Sequence, residues 1–275
     1  MNFLSILTYL AAVVGIAFAI YGGQLFFRQR SIVFRPSREM TADPAAFWQG
    51  FDDVSLNLRD HTRLNAWFVP RDPAGKLVLF LPGGVGNLTH ELNTLAFLLS
   101  FNVNVLAVNY PGYGRSEGRP GERSCYAAAD AVWRHAVQDR GIDPSKIVLF
   151  GRCLGATLAA WLAARYQCSG LVCLNAWTSV PDVAAAAYPV LPARYFCYLR
   201  FNTLKFIVNC RCPLLLMHVD RDRTVPPIHS LRLFEKAHAP KRFLPLIGEH
   251  FGDDWQTSPN LRPALAAMLN GEERW

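Results

Sequence analysis

The chain has 275 residues, 51% of them hydrophobic, which supplies apolar surface for a large core and excludes a disordered protein. Lys and Arg outnumber Asp and Glu, 28 to 21, but the basic residues are scattered, so a nucleic-acid tract is excluded and the net charge of +7 suits anionic lipid head groups. The seven cysteines, at 125, 153, 168, 173, 197, 210 and 212, lack the spacing of a disulfide framework, which favours a reducing compartment; Cys210 and Cys212 make only C-x-C, so no structural metal is expected.

The chain opens with "FLSILTYLAAVVGIAFAIYGGQLFF", Phe3 to Phe27, which carries no charge. Crossing a bilayer as a helix takes about 20 apolar residues, so residues 1–30 are expected to form a retained membrane anchor closed by Arg28 and Arg30. A cleaved secretory signal is the rival, because "AFA" at Ala17 to Ala19 resembles a cleavage site, but the basic segment that should precede it is missing. Arg28, Arg30, Arg35 and Arg38 all follow the helix, and the positive-inside rule then places the rest of the chain in the cytoplasm. An "NLT" acceptor at Asn87 carries no weight in that compartment.

Between Asp53 and Pro70 the residues alternate around "RDHT", the pattern of an antiparallel hairpin. Six short apolar runs follow: "KLVLFLP", "VNVLAVNY", "KIVLFG", "GLVCLNAW", "PLLLMHVD" and "RFLPLIG". Such runs suit strands buried on both faces. The segments between them, "NLTHELNTLAFLLSF", "GERSCYAAADAVWRHAVQD", "LGATLAAWLAARY" and "PPIHSLRLFEKAHA", have helical character. The alternation predicts an α/β fold: a mainly parallel sheet with helices on both faces, an antiparallel hairpin at its edge, and active residues at the carboxyl ends of strands. The interval from Thr178 to Cys210 is too long for a bare loop and is expected to be an inserted helical cap.

One pentapeptide points to chemistry. "GRCLG", Gly151 to Gly155, is G-x-C-x-G, a nucleophile-elbow pattern with Cys153 at its centre, preceded by a strand and followed by a helix. An inert buried cysteine is the competing account of the bare pattern. The acid and base that such a nucleophile needs lie downstream in the order acid, then histidine. Asp222 in "DRDRTVPP" is favoured over Asp220, which stays open as a competitor. Of seven histidines only His250, in the polar loop "GEHFGDDW", follows the last strand. The oxyanion hole is expected from the backbone N–H groups of Leu154 and of Gly84 in "LPGGVGN".

The series "LPGGVGNLTH", "VNYPGYGRSEG", "GRCLGA", "DRDRTVPP" and "GEHFGDDW" resembles the α/β-hydrolase superfamily, and within it the membrane-anchored α/β-hydrolase-domain proteins with one N-terminal helix. That resemblance implies a hydrolase domain over residues 31–275 with a cap at about 178–210, and an elbow, oxyanion loop and triad at the residues just named. The group's motifs look like "HGNAGN" and "GRSLGG", whereas this chain has Pro82, Gly84, Cys153 and Ala156 at four of those positions, and Asn109 where Asp is usual. A cysteine nucleophile is similar to that of dienelactone hydrolases. The expectation is an acyl hydrolase acting on a small or lipid-like ester, lactone or thioester, with no cofactor. A hydrolase-fold scaffold that has lost activity, and a redox-sensing thiol at Cys153, are the alternatives.

Overall fold

The computed structural model describes residues 3–42, 44–48, 50–189, 192–238 and 240–272. Residues 1 and 2 of the expected anchor, 190 and 191 of the expected cap, 239 of the last helical run and 273–275 of the expected domain lie outside the described residues, as do 43 and 49.

Helix α1 covers Phe3–Val33 and is long and apolar enough to cross a membrane. It runs past Arg28 and Arg30, where the sequence placed its end, because surface arginines do not interrupt backbone hydrogen bonding; Phe34 N–H still donates to Arg30 O at 2.8 Å. Pro36 ends it by forcing Arg35 into extended backbone, and β1 (Arg35–Pro36) follows. The hairpin β2 (Asp52–Asn57) and β3 (Arg63–Val69) leads into β4 (Leu77–Leu81), the two-residue β5 (Val85–Gly86), α2 (Leu92–Leu99) and β6 (Asn104–Val108). Then come α3 (Glu122–Arg134), β7 (Ile147–Arg152), α4 (Leu154–Ala163) and β8 (Gly170–Leu174). Among the described residues of the long interval there are three short helices: α5 (Val180–Ala187), α6 (Ala193–Phe196) and α7 (Thr203–Ile207). The chain closes with β9 (Leu214–Val219), α8 (Ile228–Lys236), β10 (Lys241–Leu246) and α9 (Leu261–Asn270).

The main sheet has the order β10-β9-β8-β7-β4-β6-β3-β2, parallel from β10 to β6 and antiparallel at the hairpin edge. The six apolar runs become its six parallel strands. Alternate residues feed two separate cores, Leu77, Leu79 and Leu81 on one face and Val78 and Phe80 on the other, as a period of two requires. The order reverses between β4 and β7, since the chain first moves outward to β6 and then returns to the other side. A crevice opens outside the carboxyl ends of strands at such a switch point. The residues just beyond β4 and β7 are Pro82–Gly84 and Cys153.

Candidate active site

Cys153 stands between β7 and α4 with φ +53° and ψ −110°, a conformation that L-residues rarely adopt. Its N–H donates to Leu174 O at 2.8 Å, which ties the bend to the neighbouring strand. The glycines on either side are sterically required. A Cβ on Gly151 would overlap Gly155 O and Ala156, and one on Gly155 would overlap Leu81 O. The bend therefore carries the thiol out of the sheet at the first turn of α4, where the Leu154 N–H has no intrahelical partner. Among the described residues Cys153 is the one cysteine that is not buried. Burial pushes the Cys125 thiol up to about 12 and raises those of Cys173 and Cys210 as well.

His250 is 4% exposed and its Nδ1 lies 2.6 Å from Asp222 Oδ2. Burial draws the imidazole below its ordinary 6.5, but the neighbouring Cys153 sulfur and the hydrogen bonds with Asp222 and Cys153 outweigh that and raise it to about 10. His250 and Cys153 line the same cavity. Asp222 is buried; burial favours its neutral form, yet hydrogen bonds with His218 and His250 hold the carboxyl well below the usual carboxylate range. Its Oδ1 accepts the Thr224 and Val225 N–H groups at 2.8 and 2.7 Å. Asp220 lies apart from this cluster: it is exposed and accepts the Gly248 N–H at 3.0 Å.

The loop after β4, expected to form the oxyanion hole, is held from three sides. Gly84 O accepts the Arg35 N–H at 2.7 Å and the Tyr113 hydroxyl at 2.8 Å, and Pro82 O accepts the Tyr110 hydroxyl at 2.9 Å. Gly83 lies against the elbow, since a Cβ there would be 4.0 Å from Cys153 Cβ. Gly84 has no room for a side chain because the Val33 carbonyl oxygen occupies that space. Asn109 accepts the Leu88 N–H at 3.0 Å and donates to Asn65 at 2.8 Å, so its amide ties "NYPGYG" to the loop after β5.

Several supporting residues escaped the sequence reasoning. Arg152, inside the elbow motif, is buried; it pairs with Glu91 at 3.3 Å and donates to His250 O at 3.0 Å and Gly252 O at 3.3 Å. His218, passed over as a strand residue, has its Nε2 3.3 Å from Asp222 Oδ2. Gln29 is the third case, a polar residue in an apolar helix that is 2% exposed. Polarity in such a setting is a signal in its own right.

Cys153, His250 and Gly84 open onto a cavity of about 480 Å³ to whose walls α1 and α5 each contribute several residues. That volume falls within the ordinary range of small-molecule sites. A larger depression, about 950 Å³, lies at the amino ends of β8 and β9 beside Cys168, Cys210 and Cys212. No carboxylate among the described residues lines it, and it is at the opposite end of the strands from the elbow, so it takes no part in chemistry at Cys153.

A family profile described as alpha/beta hydrolase fold matches residues 76–209. The alpha/beta hydrolase domain-containing protein WAV2 of Arabidopsis thaliana is 30% identical over 234 residues, covering 77% of this chain and 76% of its own. The uncharacterized membrane protein YNL320W of Saccharomyces cerevisiae is 29% identical over 191 residues, 67% of each chain. Among solved structures, the Pyrococcus furiosus esterase Pf2001 superposes with a TM-score of 0.69 at 17% identity, over 88% of this chain and 98% of its own.

Proposed function

Because the chain belongs to the α/β-hydrolase fold family, we propose that it is a membrane-anchored acyl hydrolase acting on an ester, lactone or thioester through Cys153, His250 and Asp222. The observation that carries this is Cys153 itself, held at φ +53° between two obligatory glycines and sharing a cavity with an imidazole that lies 2.6 Å from Asp222.

The Cys153 sulfur attacks the acyl carbonyl carbon and its proton passes to His250. The developing oxyanion is met by the N–H groups of Leu154 and Gly84. His250 passes its proton to the departing alkoxide or thiolate, which leaves an acyl-thioenzyme. A water molecule then gives a proton to His250 and attacks the acyl carbon; the thiolate departs and the carboxylic acid is released. Cysteine suits activated acyl groups better than amides, because a thiolate leaves more readily than an amide nitrogen and an amide adduct reverts.

Residues 1–30 serve in this proposal as the core of the anchor, with 31–275 as the hydrolase domain and about 178–210 as its cap. The four arginines that follow the uncharged stretch Phe3 to Phe27 favour a cytoplasmic domain, and similarity to a yeast membrane protein supports membrane attachment.

Alkylation with iodoacetamide, followed by peptide mapping, tests the chemistry. Cys153 is expected to react first, at a rate that falls in His250→Ala, and Cys153→Ala is expected to abolish turnover of short-chain esters and thioesters. Slow labelling at Cys153 without turnover would make the protein a hydrolase-fold binding protein instead.

A further inference from the structure

The cavity beside Cys153 is not closed by the hydrolase fold alone. Leu25, Gln29, Ile32 and Val33 of α1 line it. Their spacing of four, three and one places them on one face of the helix. A helix of 31 residues is about 46 Å long, whereas the hydrocarbon core of a bilayer is about 30 Å thick, so the final turns must stand in the head-group region or beyond it. Leu25 belongs to the uncharged stretch and Val33 touches the oxyanion loop, an interval of about 12 Å along the helix.

The cap is strapped to that same helix. The Gln29 side-chain amide donates to Phe196 O at 3.2 Å and to Phe26 O at 2.9 Å, and its oxygen accepts the Tyr198 and Leu199 N–H groups at 2.8 and 3.0 Å. One buried side chain thus satisfies three backbone groups of a segment nearly 170 residues away. Gly22 leaves room for the Phe196 ring, which a Cβ would approach to 2.6 Å, and the Phe26 and Tyr198 rings meet edge-on at 5.2 Å. These contacts begin inside the uncharged stretch of α1, so the cap reaches the level where that stretch leaves the bilayer. Its outward residues fit that depth: Tyr195 is 82% exposed, Tyr198 is exposed beside α1, and Tyr188 is exposed at the cavity wall, as is Phe251 of the His250 loop. Tyrosine is enriched at the level of lipid head groups, where its ring is buried and its hydroxyl is wet.

We infer that the cavity is entered sideways from the bilayer, with the last turns of α1 as one wall, and that its substrate is a lipid ester of the adjoining leaflet whose acyl chain lies between α1 and α5. The hydrolytic step rests on the acyl-hydrolase proposal above; the route of entry does not. The carbonyl would stop beside Gly84 and Cys153, with the chain running back past Val33 and Ile32 toward Leu25, against Val183 and Ala184. An anchor used in this way both tethers the domain and forms part of its acyl-binding surface.

The test uses the full-length protein in phosphatidylcholine vesicles doped with a monoacylglycerol ester that carries a diazirine midway along its chain. Irradiation is expected to place adducts on Leu25–Val33 and on Val183–Ala187, and Ala184→Trp is expected to reduce both at least tenfold. The same variant should lower the ratio of vesicle-ester to short-chain-ester hydrolysis by tenfold or more. Adducts confined to Phe3–Gln24 and indifferent to Ala184→Trp overturn the inference, and if the short-chain ester is still hydrolysed the acyl-hydrolase proposal survives alone. Equal labelling of the cavity by a water-soluble acyl thioester bearing the same chain also overturns it. Adducts in the cavity without any Cys153-dependent turnover uphold the route and remove the hydrolase.

Discussion

Asp222 Oδ2 lies 2.6 Å from His250 Nδ1, and both side chains are shut away from solvent. A carboxylate so placed fixes which ring nitrogen carries the proton and leaves Nε2 for the sulfur. Asp222→Asn keeps the volume but presents an amide that can donate to the ring and stabilise the wrong tautomer. The expected result is a fall in kcat/KM of about a thousandfold or more with the circular dichroism spectrum retained. Asp220→Asn, on an exposed side chain facing Gly248, should leave kcat/KM within a factor of two or so; a large loss there would reassign the acid.

The charge states of this pair set a pH signature with a definite sign. His250 is raised from 6.5 to about 10 in the fold, so its contribution to stability is fully present below pH 6.5 and is lost as pH rises through about 10. Asp222 is depressed from 3.8, so its contribution is present above that pH and is lost as pH falls toward its folded value. The two overlap between pH 3.8 and 6.5. Urea titrations of the native protein and His250→Gln should therefore differ most in that window, and the difference should shrink on the alkaline side and vanish near pH 10. An alkaline limb of activity near the same pH is expected, and a limb near 6.5 would mean that His250 is not paired with the thiol.

Much of this architecture is legible in the sequence because burial writes a local pattern. Strands covered on both faces need unbroken apolar runs, and six of them stand out between helical segments; the hairpin shows as alternation around "RDHT". The elbow is legible for a steric reason, since only glycine fits at 151 and 155, and chain order then nominates Asp222 and His250. What stays hidden is the long-range hydrogen bonding. Pairing of β1 with β5, the Tyr110 and Tyr113 hydroxyls on the oxyanion loop and the strap from Gln29 to Tyr198 join residues with no shared period, so no window of sequence contains them. The short α7 and terminal α9 leave weak patterns too, because much of their orientation is set by the faces they cover.

Arg152 and Glu91 form a buried ion pair, with the guanidinium also holding the carbonyls of His250 and Gly252. Removing one partner strands the other charge away from water. Arg152→Met is expected to cost about 3–5 kcal/mol in urea unfolding, and adding Glu91→Gln should recover most of it by neutralising the orphan. Activity should not recover with stability, because the donor on the His250 carbonyl is still missing and the loop that aims the imidazole is free to shift. A double variant with both stability and kcat restored would reduce Arg152 to a packing role.

The elbow offers a direct contrast between neighbouring positions. A methyl group at Gly155 would occupy the space of the Leu81 carbonyl and crowd that of Pro82, both backbone, so relief requires moving α4 away from β4. Those two elements carry Cys153 and the oxyanion loop, and any such shift separates the thiol from the Gly84 N–H. Gly155→Ala is therefore expected to destabilise the protein by more than about 4 kcal/mol or to prevent soluble expression. Ala156→Gly, one residue further along, lowers helix propensity and removes one buried methyl group, and should cost about 1–2 kcal/mol with activity largely kept. Thermal melts and initial rates on the two variants measure the difference, and equal tolerance of both would show that the sharp bend does not depend on close contact between α4 and β4.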